Sequence, residues 1–371
     1  MKPGSIFHGM PHSFARMNFR IRNFSLTRSA SRHPGVLASG LLASILCLLL
    51  CSCASKNTKS AAQGEPAIAY LFTYFTGNGK SGLHLAWSND GYKWNALGSG
   101  ASYLKPRVGE SKLMRDPCVA RGPDGVYHMV WTTSWDGRTI GHASTRDFLT
   151  WSKQDAIPVM AGIDGTRNCW APEIIYDDEA GQFVIYWSST VEGRFSETAG
   201  TSENKYNHRL YYTTTTDFKN FPPAQLLYEP GFSVIDGTLI KFGGLWQLIV
   251  KDETVTPPKK HLRIATSARA TGPFAAPPAA PFSRDWVEGP AAFVGREGEV
   301  LVYFDVYREK HYGAMRSRDM KTWEDVTDKI SLPSGVRHGT VIEVPVTIID
   351  RLRSIDLAMR RPPPRAPLIL P

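Results

Sequence analysis

Helix signals are scarce in this 371-residue chain: between Ala67 and Val344 there is little of the 3.6-residue hydrophobic period that marks an amphipathic helix, which argues against a helical core. Cysteine is scarce too. Beyond Cys53 only Cys118 and Cys169 remain, one pair that an oxidising compartment could join or two buried free thiols. Charge of one sign is also missing where it would count. The formal charge is +9, but residues 1–52 carry six positive residues and no acid, and residues 345–371 carry five arginines against two aspartates. The stretch between them is neutral, so the basic pI makes no case for nucleic-acid binding.

What is there begins with a basic segment (Lys2, Arg16, Arg20, Arg22, Arg28, Arg32), an apolar run from Val36 to Leu50, and Leu50-Cys51-Ser52-Cys53. Residues 1–53 read as a signal peptide ending in a lipobox, with Cys53 as the lipidation candidate; a plain signal peptide or an uncleaved anchor are the alternatives. Export follows, to the periplasm, to the outer membrane as a lipoprotein, or to the medium, with membrane contact only through a lipid anchor. Residues 54–66 read as a linker, residues 67–344 as one domain, and residues 345–371 as a tail without regular structure, with a short amphipathic helix from Ile348 to Met359 as its rival.

The domain is a repeat of strand signals. Short runs of Tyr, Trp, Phe, Val and Thr are separated by Gly, Asp, Asn and Pro, and a small motif recurs: Ser or Thr, one residue, Asp, then an aromatic four beyond the Asp. It stands at Ser88-Asn89-Asp90 with Trp94, Thr145-Arg146-Asp147 with Trp151, Thr215-Thr216-Asp217 with Phe221, and Ser317-Arg318-Asp319 with Trp323. A degenerate copy, Ser267-Ala268-Arg269 with Phe274, fills the gap. Five units at this spacing predict an all-β, five-bladed β-propeller. The first outward strand has one partner before it, Ala69 to Thr76, and the end of the domain offers a lone strand, Gly339 to Val344. Pairing these in one shared blade would close the ring.

Propeller geometry brings the starts of the innermost strands together. They read Arg115-Asp116-Pro117, Trp170-Ala171-Pro172-Glu173, Ile235-Asp236-Gly237, Val287-Glu288-Gly289-Pro290 and Arg337-His338-Gly339. Ionisable groups gathered around one cavity are costly unless used. Several carboxylates facing a sugar fit glycoside hydrolysis, which needs one protonated and one ionised carboxyl group. Trp135, Trp170, Trp246 and Trp286 are expected at the mouth as faces for a sugar ring.

This ordered set of blade-start motifs resembles glycoside hydrolase family 43, five-bladed propeller enzymes of the arabinofuranosidase, xylosidase and galactofuranosidase type, over about Ala67 to Val344. The resemblance implies that Asp116 is a general base, Asp236 an orienting acid and Glu288 the general acid of an inverting, exo-acting enzyme on plant or microbial glycans. Asn78, Trp135, Trp170, Glu173, Arg337 and His338 are the candidate substrate-binding residues, with a structural turn at Asn78-Gly79 as the equal alternative for Asn78. No cofactor is expected to be required; a structural calcium on the propeller axis, near His338, is the one metal the resemblance allows. Glu173 stands where many relatives have Asp, and Gly237 where Pro is common.

Two rivals remain at this stage. A carbohydrate-binding propeller without catalysis would lack a carboxylate, and all three are present. A retaining fructosidase-like enzyme shares an Arg-Asp-Pro motif, but the Asn-Asp-Pro-Asn and Glu-Cys motifs of that group are missing. One histidine at a blade start does not supply a metal hydrolase's ligand set. The polar loop Val191 to Asn207, expected to be a mobile rim, and the loop Lys251 to Lys260 are placed at the mouth to select among arabinofuranoside, galactofuranoside and xyloside, the first two favoured.

Overall fold

The computed structural model describes residues 67–278 and 280–360; the expected signal peptide, Cys53 and the linker lie outside the described residues. The described chain forms five small antiparallel sheets in a ring, a five-bladed β-propeller. Named from the closing blade, blade 1 runs from inside to outside as Arg337–Pro345, Ile68–Phe75, His84–Ser88 and Asn95–Ala96. Blade 2 is Arg115–Arg121, Tyr127–Thr132, Ile140–Thr145 and Asp155–Ile157, and blade 3 is Trp170–Asp177, Gln182–Thr190, His208–Thr215 and Gln225–Tyr228. Blade 4 has three strands, Val234–Phe242, Leu245–Asp252 and Leu262–Ser267, and blade 5 is Glu288–Val294, Val300–Val306, His311–Ser317 and Glu324–Asp325.

The recurring Ser/Thr-x-Asp motif is a turn that ends each third strand. In blade 2, Thr145 Oγ1 accepts from the amides of Asp147 and Phe148, while Asp147 Oδ1 accepts from those of Leu149 and Thr150. Ser88 and Asp90, Thr215 and Asp217, and Ser317 and Asp319 repeat the pattern. The turn needs a left-handed residue after the Asp. Gly91 fills it at no steric cost, whereas Phe148, Phe218 and Met320 adopt positive φ to do so. Blade 4 keeps only the serine: Ser267 Oγ accepts from the Arg269 amide, and the Pro-rich segment that follows forms no fourth strand.

Closure is as the strand count predicts. Ile68–Phe75 pairs with Arg337–Pro345 on one side and with His84–Ser88 on the other, so the last strand of the ring is held by the first. Gly339 is required there, because a Cβ at this position would be driven into the Thr73 carbonyl. Cys118 and Cys169 are both free and buried.

The segment after the ring departs from expectation. Val346–Arg360 is an α-helix rather than an irregular tail, because Ile349 and Leu352 are buried in one cluster with Leu71, Leu97 and Val344. Core truncations of this kind cost about 2–5 kcal/mol. Leu352→Ala is therefore expected to lower stability by about that amount in chemical denaturation, whereas a change within about 0.5 kcal/mol, normal for a solvated position, would contradict docking of the helix.

Candidate active site

Every inner strand begins with the same irregularity. Two residues of the inner strand face one on its partner: Asp116-Pro117, Ala171-Pro172, Asp236-Gly237, Gly289-Pro290 and His338-Gly339 are the bulged pairs. The first member is left-handed in four blades, with φ of 51° at Asp116, 43° at Ala171, 52° at Asp236 and 59° at Gly289. Such a bulge bends the strand and re-aims its side chains. It sorts the blade starts into levels that the sequence alone leaves merged. Asp116, Asp236 and His338 share the bulge level, Glu288 and Arg337 stand one residue before it with Arg115 and Trp170, and Glu173 stands two residues after Ala171, level with Cys118, Thr238 and Thr340.

The bulge level is a tight charge cluster. His338 Nδ1 lies 3.5 Å from Asp116 Oδ1, and Thr132 Oγ1 donates to Asp116 Oδ2 at 2.8 Å. Asp236 Oδ2 accepts the Gly289 amide at 2.9 Å, and the backbone of Gly289 lies against the His338 ring. One step out, Glu288 takes Lys251 Nζ on one oxygen at 3.0 Å and Arg337 on the other at 3.3 Å. Arg337 Nε also donates to Asp305 at 2.6 Å.

These surroundings push the groups apart. Burial raises the Asp116 carboxyl, but the His338 hydrogen bond, Arg115 and Thr132 outweigh it and hold Asp116 below its ordinary value. Asp236 is raised to about 6, by burial first and the nearby Glu288 charge, against His338 and Lys251. Burial alone would keep His338 neutral, yet its bond to Asp116 and the charges of Asp236, Asp116 and Glu173 raise it to about 9. Glu173 is raised to about 7, chiefly by burial. One ionised and one protonatable carboxyl group within one cluster is the division that acid–base chemistry on a glycoside requires.

The other expected residues fall in three places. Asn78 is at the mouth, where its side-chain oxygen accepts from Arg115 at 3.0 Å. Trp135 is 45% exposed with Arg115 over its ring, and Trp170 stands edge-on to it and donates to the Trp135 carbonyl at 2.7 Å. Trp135 is thus the more open ring, and Trp170 is held among Trp135, Tyr206 and His208. Glu173 differs from the expected sugar ligand: at 4% exposure it lies below the bulge level and accepts the Tyr186 hydroxyl at 2.7 Å. Trp246 belongs elsewhere; it pairs with Lys241 and Ser267 at the far ends of the blade 4 strands and is buried in the core. Residues 191–207, the expected mobile rim, are tied to blade 3 at several points. The buried Arg209 guanidinium binds Asn207 and Thr198, covers the Phe195 ring and pairs with Glu229.

Sequence reasoning missed the residues that stand behind the blade starts. Phe75, Thr132, Ser188, Lys251 and Asp305 each sit across from the first inner residue of their own blade, and each reaches to the start of the next. Phe75 lies under Arg115, Thr132 accepts the Ala171 amide, Ser188 accepts the Asp236 amide, Lys251 binds Glu288, and Asp305 binds Arg337. Counting the hairpin register back from each blade start would have found all five.

The axial groups fit a calcium ion poorly. Calcium takes six to eight oxygen ligands, whereas here the carboxylates already accept protein donors and surround an imidazole whose proton is tightly held. Among the described residues no three His, Cys, Asp or Glu side chains are grouped to hold a metal. A cavity of about 1040 Å³ walled by Phe242, Leu245, Phe282 and Trp323 lies beside the outer strands of blades 4 and 5, and none of Asp116, Asp236 and Glu288 lines it.

A five-bladed propeller that gathers carboxylates of separated proton affinities on its axis has the parts that glycoside hydrolysis needs. The family described as "Probable glycosyl hydrolase domain", related to family 43, matches residues 65–349, and the chain belongs to it. It is similar to an α-L-arabinofuranosidase of Bifidobacterium longum subsp. longum, 25% identical over 222 residues. That match takes in 53% of this chain and 21% of the relative, so the chain spans about a fifth of the relative's length. Among solved structures, a thermostable family-43 glycoside hydrolase matches with TM-score 0.53 and 14% identity over 73% of this chain and 93% of its own. The α-L-arabinanase of Cellvibrio cellulosa complexed with arabinohexaose matches with TM-score 0.50 and 15% identity over 72% and 96%. These two likenesses concern the fold.

The cluster predicts an unusual stability profile. Asp236, Glu173 and His338 bind a proton more tightly when folded, their ordinary values being 3.8, 4.5 and 6.5. The stabilisation each contributes is complete below its ordinary value and is lost as pH rises through about 6, 7 and 9 respectively. Asp116 acts in the opposite sense, and only at acid pH. Buried His128, His142 and His208, held neutral by burial, act in the opposite sense below pH 6.5, so the cluster is read by difference. In calorimetry the Tm gap between the wild type and His338→Asn should shrink from pH 6.5 to pH 9, and a gap that stays constant or widens across that interval contradicts the cluster.

Proposed function

We propose that the chain is an exo-acting, inverting glycoside hydrolase that removes terminal arabinofuranosyl residues from plant or microbial glycans. The observation that carries the reading is the division of labour on the axis: Asp116 is held ionised by His338 and Thr132, while Asp236 is held protonatable beside Glu288. Membership of a glycosyl hydrolase family and the similarity to an α-L-arabinofuranosidase support the reaction and the sugar.

In this reading water stands between Asp116 and the anomeric carbon. Asp116 takes a proton from that water as its oxygen attacks; on the other face the bond to the leaving oxygen breaks, and that oxygen receives the proton of Glu288. Solvent then returns a proton to Glu288 and removes one from Asp116. Asp236, fixed by the Gly289 amide, stands near Glu288 as a second carboxyl group of the cluster. Trp135, open to solvent at the mouth, offers its face to the sugar.

Aryl α-L-arabinofuranosides, galactofuranosides and xylosides assayed side by side test the reading. Asp116→Asn should lose at least about 10³-fold in kcat/KM, within the range for an essential acid or base. Glu288→Gln should lose a similar factor with poor leaving groups and far less with a dinitrophenyl leaving group, which departs without a proton. Near-normal turnover in both variants, or glycan binding with no hydrolysis across the panel, would overturn it.

A further inference from the structure

Lys251 is the one member of the ring of forward-reaching side chains that grips a carboxylate on the next blade. It is 3% exposed, and its ammonium is shared between Glu288 Oε2 at 3.0 Å and Glu253 Oε1 at 2.8 Å, with the Tyr307 ring 4.8 Å away. Glu253 is balanced in turn by the buried Lys260 at 2.9 Å, which faces Glu203 on the exposed rim at 3.7 Å. Charges of alternating sign thus run from Glu288 to the surface loops of blades 3 and 4. The loop backbones are joined at the same place, where the Val255 amide donates to the Thr201 carbonyl.

A lysine that only neutralised a buried acid would need no second anion. Here the second anion matters, because it divides the ammonium between two carboxylates and fixes the line along which Lys251 pulls. Burying such groups is costly unless each is paired, and the pairing is complete. We propose that Lys251 is a positioning residue for Glu288, aiming the carboxyl group from the neighbouring blade, with Glu253 setting how strongly it pulls. The inference rests on the reading of Glu288 as general acid.

Other charged or titratable groups also face Glu288: Arg337 of blade 1, Asp305 and Tyr312 of its own blade, Tyr307 in the turn beyond, and Asp236 of blade 4. None of these changes in the test. Removing the cation in Lys251→Met favours the protonated carboxyl group and should move the alkaline limb of kcat/KM upward by about one pH unit or more, the effect of an opposite charge at this range. Removing the competing anion in Glu253→Gln frees Lys251 for Glu288 and should move the same limb downward. Misplacement of the acid should also cost Lys251→Met about 10- to 100-fold in kcat with little change in KM, and Lys251→Arg should recover most of it.

A merely structural lysine would lower Tm in both variants and leave the limb in place. Opposite shifts support the proposal; no shift, or shifts in one direction, overturn it. Should Lys251→Met fail to fold, the downward shift in Glu253→Gln decides alone. The residual activity of Glu288→Gln on a poor, phenyl leaving group, which needs its proton, separates the two levels of the argument. If the alkaline limb survives in that variant, the assignment of Glu288 fails. If the limb vanishes there yet stays fixed in Lys251→Met and Glu253→Gln, the assignment stands and only the role of Lys251 fails.

Discussion

At the mouth each blade sends one side chain from its second strand to the first residues of the next. The five contacts use different chemistry: an arginine over a phenyl ring, two amides on hydroxyls, and two ion pairs. Their shared geometry follows from the bulge that opens every inner strand. A left-handed backbone at Asp116, Ala171 or Asp236 costs on the order of 1–2 kcal/mol for a residue with a Cβ. The cost is borne because the bulge turns the Asp116 and Asp236 side chains themselves into the shared cluster and frees an amide, as at Ala171 and Asp236, for the hydroxyl behind it. A propeller made of regular strands would close as well, but its carboxyl groups would not be turned onto one spot.

Two aspartates in the same bulge position, Asp116 and Asp236, end with opposite proton affinities. Asp116 bonds a hydroxyl and an imidazole that carries positive charge; Asp236 bonds a neutral amide and stands near Glu288. His338 is the centre of this division. Buried among carboxylates, it gains more from their charge than it loses by leaving water, so a group that burial would usually neutralise stays cationic. Glu173, one level deeper and tied to Tyr186, adds negative charge from below without reaching the mouth.

The ring, its closure and the carboxylates were legible in the sequence because each leaves a local mark. The Ser/Thr-x-Asp turn repeats in four blades and survives as its serine in blade 4, the strand surplus at one end matches the deficit at the other, and Asp116, Asp236 and Glu288 stand beside Gly or Pro. What was illegible depended on register and depth. Glu173 follows the bulge by two residues, and no pattern of residue types distinguishes that position from the mouth. Lys251 reads as the polar end of an apolar strand and gains meaning only when paired with Ile235 and set against blade 5. Trp246 looked like the other tryptophans but is the second residue of the strand Leu245–Asp252, at the far end of its blade. The helix Val346–Arg360 was legible only as the rival to an irregular tail, because charged residues interrupt its apolar ones; Ile349 and Leu352 are buried against the ring, with Val346 and Ile348 packed beside them.

The central claim is that Asp116 activates water on one face of the sugar while Glu288 protonates the leaving group on the other. Proton NMR of the first-formed sugar, recorded before mutarotation, tests this most directly. From an aryl α-L-arabinofuranoside the account predicts the β-anomer of arabinofuranose as the initial product. Initial release of the α-anomer would mean that the carboxylate attacks the sugar itself, and would contradict the account.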